Sequence, residues 1–208
     1  STIHDASLTI LERTGVQLHY EEAIKMMHKA GAKITDGNRV RIPASLVEAA
    51  LNTAPNEVQM YNRDGQPAML LGGRNKYYGP GSDCLYIVDH RTQERRQPVL
   101  QDVVEASRVC DALLNVDFVM SMFVPSDVNP EISDVYQMEV MLNNTSKPIV
   151  FVSNEFKGCK AAVEMAEVVA GGSDDLRTKP FVACYVNVTS GLVHNEEALQ
   201  KLLFLSEK

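Results

Sequence analysis

Val116-Asp117-Phe118-Val119-Met120-Ser121-Met122-Phe123-Val124, Ile149-Val150-Phe151-Val152 and Phe181-Val182-Ala183-Cys184-Tyr185-Val186-Asn187-Val188 are three short, almost wholly apolar runs in the second half of a 208-residue chain. Each is followed by a pattern of helical period, over 132–142, 159–170 and 196–205. Runs of this length bounded by Pro, Asn, Asp and Gly fit strands buried on both faces, as in a parallel sheet. The intervening helices are long enough to serve as right-handed crossovers. The expected class is therefore α/β, in which chemistry gathers at the carboxyl ends of the strands.

The preceding residues read differently. Ile3, Ala6, Ser7, Ile10 and Leu11 mark a first helix closed by Gly15, and Ala23, Ile24, Met27 and Ala30 mark a second closed by Gly31, so the two are predicted to form a helical hairpin. Lys33–Thr35 and Arg39–Ile42 flank Asp36-Gly37-Asn38, a β-hairpin signal. Pro43 suits the first turn of a third helix. From Glu57 to Pro98 the period shortens, predicting small antiparallel strands around one glycine-rich loop. Val103, Ala106, Ser107, Cys110 and Leu113 then mark a helix that delivers the chain to the first parallel strand. The expected boundary lies near residue 98, with 1–98 a helical and β-hairpin extension and 99–208 the first βα units of a sheet that continues further. The chain begins at Ser1 and stops after a helical pattern, where another strand is expected, so both ends read as cuts in a longer protein. A sheet of three such strands would leave an open edge, and self-pairing is expected.

Bulk properties narrow the function. The chain is 45% hydrophobic and 23% charged, with a formal net charge of −7. A general nucleic-acid surface would need clustered Lys and Arg. The acidic balance suits a cytoplasmic protein and does not repel a cationic small molecule. Cys84, Cys110, Cys159 and Cys184 include no C-x-x-C pair, so neither a zinc site nor a disulfide framework is indicated. No apolar run approaches the ~20 residues of a membrane span.

Candidate site residues follow from the strand ends. Pro125-Ser126-Asp127, Ser153-Asn154-Glu155 and Asn187-Val188-Thr189-Ser190-Gly191 are the polar runs after the three apolar ones. Parallel strands would bring Asp127, Asn154, Glu155 and Asn187 to one side of the sheet. The same residue types serve equally to cap helices and make turns. Asn187 stands out, because an amide buried in an apolar strand must find partners. The second candidate is Tyr77-Tyr78-Gly79-Pro80-Gly81-Ser82-Asp83. The face of an aromatic ring attracts an ammonium group, by ~0.5–2 kcal/mol per contact, and Asp83 could supply the counter-charge. The plainer alternative is a tight turn with Tyr in the sheet core. This loop lacks the G-x-G-x-x-G spacing of a phosphate cradle. Pro125-Ser126-Asp127-Val128 is no phosphate loop either, which argues against a nucleotide-binding domain. The five histidines show no metal-ligand spacing, and Arg95-Arg96 reads as a solvated turn.

The order of these motifs resembles the trimethylamine methyltransferase family. The resemblance is carried by Ile3-His4-Asp5-Ala6-Ser7 through Thr14-Gly15-Val16, by Asp36–Pro43, Ala54-Pro55, Tyr78-Gly79-Pro80-Gly81 and Leu85–Asp89. It continues in Asn143-Asn144-Thr145-Ser146-Lys147-Pro148 and Asn187-Val188-Thr189-Ser190-Gly191-Leu192. One departure is Gly191, where many relatives carry Pro. The resemblance implies a partial TIM-type (β/α) barrel with an amino-terminal extension. It also implies methyl transfer from a methylamine or quaternary amine, trimethylamine or glycine betaine in type, to the Co(I) corrinoid of a separate partner protein. No cofactor or metal is then expected on the chain itself, and a homo-oligomer is expected. Within that reading Tyr78 and Asp83 face the cation, while Asp127, Glu155 and Asn187 complete the substrate site. The alternative is a barrel module that only docks a corrinoid protein or a small cation; apolar strand ends would favour it, and here they are polar.

Overall fold

The computed structural model describes all 208 residues, Ser1–Lys208. In chain order its elements are α1 (Thr2–Arg13), β1 (Val16–Leu18), α2 (Glu21–Lys29), β2 (Lys33–Thr35), β3 (Arg39–Arg41) and α3 (Ala44–Thr53). There follow β4 (Glu57–Tyr61), β5 (Pro67–Gly72), β6 (Ile87–Val88), β7 (Arg95–Arg96), α4 (Leu100–Ala112) and β8 (Val119–Met120). The rest are α5 (Ser133–Asn144), β9 (Ile149–Phe151), α6 (Phe156–Ala170), α7 (Ser173–Thr178), β10 (Val182–Cys184), β11 (Val193–His194) and α8 (Glu196–Ser206). They divide into two compact units: Ser1–Pro55 with Val186–Lys208, and Asn56–Tyr185. Residue 98 lies inside the second. No helix is long and apolar enough to cross a membrane.

The first unit is built on a four-stranded sheet in the order β11-β1-β3-β2. The hairpin of β2 and β3 pairs Lys33 with Arg41 around Asp36 and Gly37, whose φ values of 53° and 78° are those a tight turn needs. The two leading helices do not make the expected helical hairpin, because Val16–Leu18 between them is a strand. Its three residues are too few to show a period, and Val16 and Leu18 are buried on one face. Gly15 makes the passage from α1 to β1 possible: at φ +71°, a Cβ there would lie 2.9 Å from the Val40 carbonyl carbon and overlap its oxygen. The core comprises Val16, Leu18, Ala23, Ala32, Val40 and Leu199. Leu199 belongs to α8, so the helix that follows the third apolar run packs on this sheet. β11 takes it there by running parallel to β1, with Gln17 opposite Val193.

The second unit holds the apolar runs. They are neighbouring parallel strands in the order β10-β9-β8, with Val119 opposite Ile149 and Ile149 opposite Val182. Val119, Ile149 and Phe151, alternate residues on one face, are almost wholly buried. The glycine-rich segment is not the turn between antiparallel strands that its composition suggests. It runs beside β8 in the parallel sense as a further, irregular edge. Tyr78 N–H donates to Asp117 Oδ2 (2.7 Å), Asp117 N–H donates to the Tyr78 carbonyl (2.7 Å), and Cys84 bridges Phe123 in parallel. Gly79 allows this approach, since a Cβ there would lie 2.5 Å from the Phe118 ring. Pro and Gly hid the strand because they break the alternation by which strands are read.

The antiparallel hairpin β4–β5 completes this unit and buries Met60 and Met69. The cysteines are free; Cys110 and Cys159 are buried, while Cys184 is half-buried and Cys84 exposed. Cys159 lies on the inner face of α6.

Candidate functional site

Hydrogen bonds sort the candidate residues of the second unit by their end of the parallel sheet. Tyr78 is tied to Asp117, ahead of β8, and so belongs at the amino end; the residue is 66% exposed. Asp83 stands next to Cys84, whose N–H donates to the Met122 carbonyl (3.0 Å) past β8, and so belongs at the carboxyl end. Asp127 and Glu155, in the loops after β8 and β9, are exposed at that same end. The Tyr78–Asp83 segment therefore runs the length of the sheet edge, and its two candidate groups are at opposite ends of it.

Two of the three carboxylates have local work. Asp83, with φ +65°, accepts from Ser82 Oγ (3.0 Å). Asp127 Oδ1 accepts from the Leu100 N–H (2.8 Å), satisfying a free donor of the first turn of α4. Capping is thus real for Asp127, but of a helix 27 residues earlier in the chain. Glu155 is the residue before α6, and its side chain makes no cap there. Asn187 is exposed and lies in the first unit, beyond the end of β10 at Cys184. The expectation of a buried strand amide fails, because the ladder stops before the apolar run does.

Three groups that sequence reasoning passed over hold this end in place. Asp134, only 7% exposed, accepts from the Asn154 N–H (3.0 Å) and from its own neighbour Val135 N–H (2.9 Å). It thereby ties the start of α5 to the loop carrying Asn154 and Glu155. Gly158 in the first turn of α6 leaves room for that carboxylate. Arg96 is the third, and it is no solvated turn. Its Nε donates to Asp89 (2.8 Å), and its Nη1 and Nη2 donate to both oxygens of Asp102 (2.7 and 2.8 Å). Asp102 also accepts from the Val99 N–H (2.7 Å), so the cluster fixes the start of α4. No sequence signal marks a two-carboxylate partner for one arginine of an Arg-Arg pair.

The Arg96 hydrogen bond, with further donors from Arg91 and Thr92, holds the Asp89 carboxyl at about 2; the same arginine lowers that of Asp102, and the two carboxylates hold Arg96 firmly charged. Carboxyls depressed in the fold stabilise it at a pH above their ordinary value of 3.8. That stabilisation drains away as pH falls from there toward about 2. An Arg96→Met variant is expected to lose part of its stability at neutral pH and to show a flatter decline across this acid window, measured by denaturant titration at a series of pH values. An unchanged acid profile would contradict the role given to Arg96.

The Asn143–Pro148 motif works at the other end. Lys147 Nζ donates to the Cys110 and Leu113 carbonyls (2.7 Å each), closing the carboxyl terminus of α4. Asp111 accepts from Thr145 Oγ1 (2.7 Å) and Ser146 N–H (2.9 Å). Burial opposes its ionisation, but these hydrogen bonds and the Lys147 charge outweigh burial and hold its carboxyl below the usual range. This motif is structural.

Two cavities border the edge segment. An open groove of about 840 Å³ runs along α4, with Val109, Leu113, Val88 and Phe123 in its apolar wall and Tyr78 at its rim. A second, of about 520 Å³, lies on the sheet face of Val150 and Ala183, with Phe118, Met60, Met69 and Tyr78 around it. No group of three or more His, Cys, Asp or Glu side chains comes together as a metal site.

The family model for trimethylamine methyltransferase (MTTB) matches residues 1–207. The chain belongs to the trimethylamine methyltransferase family. It is 33% identical over 191 residues to the trimethylamine methyltransferase MttB of Desulfitobacterium hafniense strain DSM 10664 / DCB-2, covering 91% of this chain and 38% of that protein. It is 26% identical over 206 residues to the glycine betaine methyltransferase of Desulfitobacterium hafniense strain Y51, covering 99% and 43%. To the trimethylamine methyltransferase MttB of Methanosarcina thermophila it is 24% identical over 208 residues, covering 97% and 43%. The chain thus spans about two-fifths of the length of these relatives. The motif order quoted above from the sequence alone pointed to this family.

Proposed function

We propose that this family member is a methyltransferase acting on a methylated amine of the trimethylamine or glycine betaine type, with the Co(I) corrinoid of a partner protein as methyl acceptor. The observation that carries the reading is the family match along residues 1–207. The strand ends support it chemically. The loops after β8 and β9, 124–132 and 152–155, with the nearby edge residue Asp83, contain Asp83, Asp127, Glu131 and Glu155 and neither Lys nor Arg, a charge balance that favours an ammonium ion. Polar strand ends also favour catalysis over a module that only docks. The parallel sheet of β8, β9 and β10 is, in this reading, an arc of a (β/α) barrel, and the protein a cytoplasmic homo-oligomer.

In the reaction the N–CH3 bond breaks and a Co–CH3 bond forms; the nitrogen keeps the electron pair and leaves as the demethylated amine, while cobalt supplies the pair for the new bond. The protein's share is to hold the ammonium group, align one N–CH3 bond with cobalt and exclude water. Such positioning can contribute roughly 7–11 kcal/mol in ideal cases. The test is to incubate the complete protein with its reduced corrinoid acceptor and, separately, trimethylamine or glycine betaine. Methyl–cobalt absorbance is expected to appear with one of them. Absorbance unchanged with both, while an active relative responds under the same conditions, would sink the proposal.

A further inference from the structure

We infer that Tyr185 is the aromatic contact for the cationic head of the substrate; this rests on the methylated-amine reading and assigns within it a residue that the sequence pattern did not single out.

β10 pairs with β9 through Val182–Ile149, Ala183–Val150 and Cys184–Phe151. Tyr185 N–H then donates to the Phe151 carbonyl (2.8 Å), so the parallel pairing continues one residue past Cys184, and Tyr185 stands at the carboxyl end of the sheet. Side chains alternate along such a ladder. Phe151 and Ile149 mark the buried face, while Val150 and Ala183 border the 520 Å³ groove on the opposite face. Tyr185, two residues beyond Ala183, shares that groove face. Tyr185 is 50% exposed, so it remains accessible to a ligand.

Its electrostatic setting favours the same ligand. Asp83, Asp127 and Glu155 stand at this end of the sheet in segments without Lys or Arg, a charge balance that favours a cation there. Quaternary ammonium ligands are a recurrent target of aromatic faces in binding sites. Tyr78, the aromatic residue expected from sequence, is held at the amino end by Asp117. Tyr185 has the position at which α/β sheets place substrate.

The test uses the complete protein and two ligands of one shape: glycine betaine and 3,3-dimethylbutyrate, in which carbon replaces the quaternary nitrogen. Titration calorimetry gives the preference for the charged ligand in the wild type and in Y185F, Y185L and Y78L. Y185F is expected to keep it within about twofold. Y185L is expected to reduce it by ~3- to 30-fold, the range for one cation–ring contact, and Y78L to leave it unchanged. Should Y185L fail to fold, progressive fluorination of a phenylalanine at 185 preserves shape while draining the ring, and the preference is expected to fall stepwise. Methyl transfer by the wild type with an unchanged preference in Y185L, or across the fluorinated series, overturns this assignment alone. No methyl transfer by the wild type with either amine overturns the methyltransferase reading and the assignment with it.

Discussion

Replacing Phe151 by Ala is expected to cost about 3–5 kcal/mol, a large share of a typical domain's ~5–15 kcal/mol. Phe151 is 2% exposed and is the last residue of β9, the central strand of β10-β9-β8. Truncation removes the transfer energy of the ring and leaves a cavity that strands paired on both sides cannot collapse to fill. The Phe151 carbonyl also receives the Tyr185 N–H, so relaxation there would loosen the carboxyl end of the sheet. Thermal unfolding should shift down by on the order of 10 °C. Val168 provides the control: it is as apolar as the core residues but stands exposed on α6, and Val168→Ala should change stability by no more than about 0.5 kcal/mol. Equal losses for the two variants would contradict the burial pattern.

Gly158→Ala is the second large effect, and its sign separates local from tertiary reasoning. Within a helix, Ala is better than Gly by about 1 kcal/mol, so helix propensity taken alone favours the replacement. In the fold a Cβ at 158 would lie 2.9 Å from Asp134 Cγ and closer still to Oδ2. Asp134 cannot withdraw freely, since it holds the Asn154 N–H and is buried against α6. The expected outcome is destabilisation by about 1–3 kcal/mol, read by denaturant titration. Asp134→Ala alone should also destabilise, by about 1–3 kcal/mol, because it leaves the Asn154 N–H without its acceptor. The double variant should cost less than the sum of the two, since the second change removes what the first collides with. Strict additivity would show that the two groups do not meet. On the proposed methyltransferase reading, and because Asp134 positions the loop of Asn154 and Glu155, both single variants should impair methyl transfer beyond their effect on stability.

These residues show what could be read beforehand. The runs at 116–124, 149–152 and 181–188 announced parallel strands because short apolar stretches between helices have few other stable arrangements. Their helices, the hairpin around Gly37 and the turns closed by Gly15 and Gly31 followed from local chemistry. The family was legible from motif order, and the family model bears it out along 1–207. Less legible were elements whose identity depends on a distant partner. β1 is too short to show a period. The Tyr78–Cys84 edge is disguised by glycine and proline, and it is strand-like only because Asp117 and Met122 offer it hydrogen bonds.

Of the candidate site, the polar ends of the strands were visible in sequence, as was their acidity. The work of each residue was decided in three dimensions. Asp127 is a cap for α4, Arg96 holds two carboxylates, Asn187 lies outside the ladder, and Tyr185 stands at the sheet end where Tyr78 does not. By itself the sequence determined the α/β pattern, the acidic base-free strand ends and the family, because period, charge and motif order are properties of the chain read in line. Only the tertiary structure decided which end of the sheet each side chain reaches and which carboxylate is spent on a helix. Register and hydrogen bonds between residues up to 39 positions apart settle those questions, and none of them leaves a local trace.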